Sequence, residues 1–178
     1  LAQSSLADGI PAELFPIWQS EPLIAMSLVA LNEALQQAKL QTSLPRQRTA
    51  IVFGASKGGL RTAERLSRQM SLLQTSKEAC NGSPLDDHQF GLLWNHAFAT
   101  DSATRAIATV TGAKSSLTCP VAACATGLIA ILQGAALVHA GDCDVCIVGS
   151  ADAGLRASVL SSFHRLRVAS RHQNASDA

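Results

Sequence analysis

The segment Leu117-Thr118-Cys119-Pro120-Val121-Ala122-Ala123-Cys124-Ala125-Thr126-Gly127-Leu128 passes from a strand-like run directly into a helical pattern. Leu117 to Val121 is short and partly apolar, as a buried strand would be. From Leu128 onward, Leu128, Ile131, Leu132, Ala135, Ala136 and Val138 recur at helical spacing. Cys124 falls at the turn between the two. Its neighbours Ala123, Ala125 and Gly127 carry almost no side-chain bulk, so the backbone can bend sharply and raise one sulfur at the mouth of the helix. A thiol there meets the positive end of the helix dipole and amide N–H groups without intrahelical acceptors, both of which favour thiolate over thiol. Strand, nucleophile and helix in this order follow the logic of a nucleophile elbow, with sulfur in place of oxygen. The competing reading is a buried cysteine that only fills space, since cysteine is among the most frequently buried residue types.

Outward from this turn the chain reads as an α/β domain. Gly141 caps the helix and Asp144 to Ala151 forms a second buried strand, so strand, helix and strand make a right-handed beta-alpha-beta unit whose strands lie parallel in one sheet. Upstream, Ser102 to Thr111 is a helix closed by Gly112, and Asp86 to Ala99 is another that carries Trp94, His96 and Phe98 as packing residues. Cys80 to Pro84 is a turn or exposed loop. Leu60 to about Lys77 is an arginine-rich helix with a solvated charged face. Thr49 to Phe53, ending at Gly54, is a strand buried on both faces. Leu23 to Leu40 is an amphipathic helix on Ile24, Leu28, Leu31, Leu35 and Ala38. Residues 1–22, with three prolines, read as an irregular lead-in; Leu155 to Leu166 is helical, and residues 167–178 are a loose tail.

Composition bounds the function. The 178 residues are 47% hydrophobic with a net charge of +1, which suits one globular domain and offers no basic stripe for nucleic acid. No apolar run approaches the roughly 20 residues that span a bilayer, and the expected location is the cytoplasm. Five cysteines at irregular spacing suit reduced thiols better than a disulfide framework. Cys143 and Cys146 have Cys-x-x-Cys spacing, but at the start of a strand residues three apart point to opposite faces, away from a common metal or each other. Gly54-Ala55-Ser56-Lys57-Gly58-Gly59 lacks the Gly-Lys-Ser/Thr order of a phosphate loop and reads as a tight turn. No cofactor or metal is expected.

Ala123-Cys124-Ala125-Thr126-Gly127, then a helix, then Gly141-Asp142-Cys143-Asp144-Val145 leading into Ile147-Val148-Gly149, resembles the active-site region of the beta-ketoacyl-ACP synthases, condensing enzymes of the thiolase-like fold. Glu33 to Leu40 is similar to that family's first long helix, Ile51 to Gly54 with Gly58-Gly59 to its next strand and turn, and Phe163 to Ser170 to the segment beyond the second strand. The resemblance implies an N-terminal-half piece of a layered α/β/α fold, with a mixed, largely parallel sheet and without the family's first strand and C-terminal half. It implies that Cys124 takes an acyl group from an acyl carrier protein as a thioester, ahead of a decarboxylative condensation with malonyl-ACP in fatty acid or polyketide synthesis. It also implies a homodimer paired through Leu117 to Val121.

Two departures qualify the match. Where the family has Gly-Gly-x-Glu, this chain has Gly149-Ser150-Ala151-Asp152, a stiffer backbone position and an acid one methylene shorter. The family's two catalytic histidines stand in His-Gly-Thr or Gly-His-Thr type settings, and His88, His96, His139, His164 and His172 do not. The chain alone is therefore expected not to complete the condensation. The alternatives are a non-catalytic carrier-binding or assembly piece, and a cysteine hydrolase, for which no spacing identifies a histidine partner.

Overall fold

Every residue of β1 (Thr49–Gly54) is buried, as its unbroken apolar middle requires of a strand covered on both faces. The computed structural model describes residues 9–41, 44–75 and 85–170, with the backbone alone for 72–75. Among these, three strands form one parallel sheet in the order β2–β1–β3, where β2 is Leu117–Thr118 and β3 is Val145–Ser150. Ile51 stands opposite Leu117, and Thr49 opposite Val145 in a ladder that runs to Gly54 opposite Ser150. The two strands that flank the helix after Cys124 are thus parallel members of one sheet, with β1 between them.

Alternation along the strands sorts the layers. Ile51 and Phe53 face a core made by Leu23, Ile24, Leu28, Leu31 and Leu35 of α2 (Pro22–Gln37) and Ala103, Ala106 and Ile107 of α5 (Ser102–Thr111). Each such leucine or isoleucine, fully buried, contributes about 1.5–3 kcal/mol. Thr104 of α5 donates to the Phe53 carbonyl at 2.6 Å. Gly54 and, on β3, Cys146 and Val148 face the other way, onto α6 (Thr126–His139). A Cβ on Gly134 would lie 2.3 Å from Val148 Cγ2, so α6 sits closer to β3 than a side chain there would permit. Its inward stripe is Thr126, Ala130 and Gly134. Leu128, Ile131 and Leu132, the apolar residues at helical spacing, are 58–61% exposed.

The edges depart from expectation. The strand expected over Leu117 to Val121 is two residues long, and Leu117 and Val121 are 49% and 58% exposed. Pro120 offers no ladder donor and restricts the residue before it, which ends the pairing. β3 is half-buried, because only β1 has a strand on either side. The segment after α4 (Asp87–Leu93) continues as a π-helical turn, Trp94–Phe98, in which Trp94 stacks with both Phe90 and Phe98. The Cys80 to Pro84 loop and residues 171–178 of the tail lie outside the described residues.

The lead-in is not irregular where it is described. α1 (Phe15–Ser20) forms there, and Ile10, Leu14 and Trp18 join the core. Pro16 and Pro22 fall in the first turns of α1 and α2, where a missing N–H leaves no bond unmade; they start helices instead of excluding them. Between the two lies Glu21, 1% exposed. One carboxylate oxygen accepts from Leu23 N at 3.5 Å, capping α2, while the other accepts from the amide and hydroxyl of Thr62, each at 2.8 Å. Thr62 lies in the first turn of α3 (Leu60–Thr75), so one buried acid serves two helix starts.

Candidate active site

Cys124 lies in a one-turn 3-10 segment, Ala123–Ala125, that runs directly into α6, and it is exposed. The sulfur is therefore raised at a helix N-terminus and is not a core filler. Two features hold the bend. Ala123 has a φ of 48°, a left-handed conformation costly for any residue with a Cβ. The buried Thr126 compensates: its hydroxyl donates to the Ala123 carbonyl at 2.7 Å and accepts from the Ala122 amide at 3.0 Å. Gly54 completes the seat, since a Cβ there would fall 2.2 Å from Thr126 Cγ2 and 2.7 Å from the Pro120 carbonyl. Thr126 and Gly54 were not singled out for the site by sequence reasoning; the signal available for Thr126 was a β-branched hydroxyl at the first position of a helix.

The sulfur opens onto a cavity of about 720 Å³ lined by Val121, Leu155, Leu160 and Phe163, with Ser56, Lys57 and Asp152 as its polar wall. Lys57 pairs with Asp152 and also donates to Ser56 Oγ at 3.0 Å, and Ser56 Oγ donates to Asp152 Oδ2 at 2.7 Å. Burial alone would raise the Asp152 carboxyl; hydrogen bonds from Lys57 and Ser56, with the lysine charge, outweigh it and hold the acid below the usual carboxylate value. Lys57, in the loop that reads as a tight turn and not as a phosphate loop, is thus joined to Asp152 of the loop after β3.

Among the described residues the cavity lining contains no histidine. His88, His139 and His164 are exposed and His96 is half-buried, while His172 lies outside the described residues. Cys119 is half-buried and donates to the Thr100 carbonyl at 3.4 Å. Cys143 and Cys146 differ from expectation. Cys143 precedes β3, so strand alternation does not separate the pair, and Cys143 is near enough to act on the Cys146 thiol. Burial, reinforced by Cys143, pushes the Cys146 thiol up to about 11. No group of three metal-ligating side chains comes together among the described residues. There too, no helix is long and apolar enough to cross a membrane.

A parallel α/β layer with an exposed cysteine on a strained strand-to-helix turn has the arrangement of a presented nucleophile. The sequence model described as beta-ketoacyl synthase, N-terminal domain, matches residues 7–178, and the chain belongs to that family. Comparison with curated proteins returns no match. Fold and family agree with the N-terminal domain of a thiolase-like condensing transferase.

Proposed function

We propose that Cys124 accepts an acyl group from an acyl carrier protein. The observation that carries this reading is the exposed sulfur at the amino end of the 14-residue α6, facing an apolar cavity. The thiolate attacks the thioester carbonyl, the C–S bond to Cys124 forms as the C–S bond to the carrier breaks, and the carrier leaves as a thiolate that takes up the proton Cys124 released on ionising. The Cys124 N–H, in the turn that leads into the helix, contributes to the oxyanion hole. In the intact enzyme malonyl-ACP then loses carbon dioxide, its carbanion attacks the acyl carbon, and the Cys124 thiolate departs as the C–C bond forms. That second step needs the histidine pair that the family uses and that this chain's motifs do not supply.

The exposed edge at Leu117 to Val121 supports pairing of two copies there, which light scattering tests. The cytoplasm, where thiols stay reduced, is the setting this reading takes. The deciding experiment mixes the chain with acyl-ACP and looks for a mass increase on the Cys124 peptide that Cys124→Ser lacks. Without such an adduct, the acyl-transfer reading fails.

A further inference from the structure

α7 (Ala157–Arg165) supplies Leu160 and Phe163 to the Cys124 cavity, yet none of its residues is buried. A helix without buried anchors has little hydrophobic hold on the body beneath it. Polar ties carry it instead. Where β3 ends, Ala151 N donates to the Gly54 carbonyl at 3.1 Å. Asp152 then pairs with Lys57 and accepts from Ser56, which joins the loop after β3 to the loop after β1. Arg156, the residue before α7, donates to Glu64 of α3 through Nε at 2.9 Å and again through its Nη2. The Lys57 ammonium also sits 5.7 Å from the centre of the Phe163 ring, a cation–π contact reaching α7 itself.

Lys57 is thus the group that touches both the base of the segment, at Asp152, and its cavity-facing aromatic, at Phe163. We infer that Lys57 is a positioning residue: through Asp152 and Phe163 it holds α7 as the wall of the acyl cavity and so sets how well a long acyl chain is accepted at Cys124. The inference rests on the acyl-transfer reading for its biological meaning, but the geometry can be read without any acyl transfer. Lys57 acts through α7, not on the reacting atoms.

The test alkylates Cys124 of the full chain with N-methyl and N-octyl iodoacetamide and takes the ratio of the two rates by peptide mass spectrometry. The ratio cancels changes in the sulfur's own reactivity and reads the cavity wall. The wild-type chain favours the octyl reagent. Lys57→Met and Asp152→Asn each reduce that preference about fivefold, the scale of one ion pair of this partly exposed kind. Lys57→Arg, which keeps the charge, retains it, and 1 M salt lowers it in the wild type but not in Lys57→Met. The inference is overturned if the wild type shows no octyl preference, if both neutral variants keep the ratio, or if Lys57→Arg loses it as fully as Lys57→Met. A chain that shows the predicted ratios yet takes no acyl group from acyl-ACP leaves this inference standing and removes the acyl-transfer reading alone.

Discussion

The Thr126 hydroxyl donates to the Ala123 carbonyl at 2.7 Å, and Ala123 is the residue that holds a φ of 48° immediately before the sulfur. The helix's first side chain therefore braces the strained bend that presents Cys124. Thr126→Val keeps the shape and removes both hydrogen bonds, leaving the Ala122 amide without its acceptor. The expected loss is about 1–3 kcal/mol in denaturant unfolding, with Cys124 alkylation slowed. Thr126→Ser retains both properties. Equal stability of the valine and wild-type chains would show that the bend does not depend on the hydroxyl.

Glu21 makes a sharper stability prediction. Glu21→Ala removes the acceptor shared by Leu23 and Thr62 and leaves two α3-end donors buried without it. Hydrogen bonds to a charged group are worth about 1.5–3 kcal/mol each, so a loss near 3 kcal/mol and a fall in melting temperature of about 6–12 °C are expected. Scanning calorimetry measures it.

Gly134 sets two effects against each other. Alanine in its place gains about 1 kcal/mol of helix propensity. It also puts a Cβ 2.3 Å from Val148, and overpacking of that kind costs about 1–3 kcal/mol. Valine's branched side chain has no flexible end to swing away, so the clash wins and Gly134→Ala destabilises by about 1 kcal/mol. Chemical denaturation gives the sign.

The thiols separate by pH. With its pKa at about 11, Cys146 stays protonated at pH 8 and resists iodoacetamide, while the exposed Cys124 is modified; labelling of Cys146 rises only as the pH approaches 11. An unfolded thiol ionises near 8.5, so the unfolded state binds fewer protons than the folded one above that pH. Cys146 accordingly favours folding below about 8.5, and this contribution is lost as the pH rises toward 11. Peptide mapping across pH 7–11 follows both effects.

Asp152 behaves in the opposite sense. Its depressed value means that its pairing favours folding above the ordinary carboxylate pKa of about 3.9 and is lost as the pH falls through the lower folded value. In Lys57→Met the upward push of burial loses its main opponent, so the carboxyl titrates at higher pH than in the wild type. Carbon-13 NMR of the Asp152 carboxyl reads that shift directly.

Local patterns carried much of this architecture. The apolar run at Thr49 to Gly54, the helical spacing in α2 and the glycine after Thr111 are decided by neighbours in sequence, and β1, α2 and α5 formed there. The position of Cys124 at the turn into α6 was legible for the same reason, while its proposed role came from the resemblance of the surrounding motif. What the sequence hid depends on partners far along the chain. Glu21 meets Thr62 across 41 positions and Lys57 meets Asp152 across 95, and neither spacing has a local signature. Prolines misled over α1 because a proline that breaks a helix interior is harmless in its first turn. The apolar pattern of α6 located the helix but not its orientation: periodicity reveals a stripe but not which side meets the sheet.

α6 meets the sheet along a narrow track of Thr126, Ala130 and Gly134, and its broad leucine side, beginning at Leu128 one turn beyond Cys124, looks outward. Solubility and reactivity are consequently tied to the same rod. A detergent, a crystallisation additive or a charge introduced at Leu128 to keep the protein dispersed would also alter the immediate surroundings of the thiol, so every assay of Cys124 is at the same time an assay of what coats that helix.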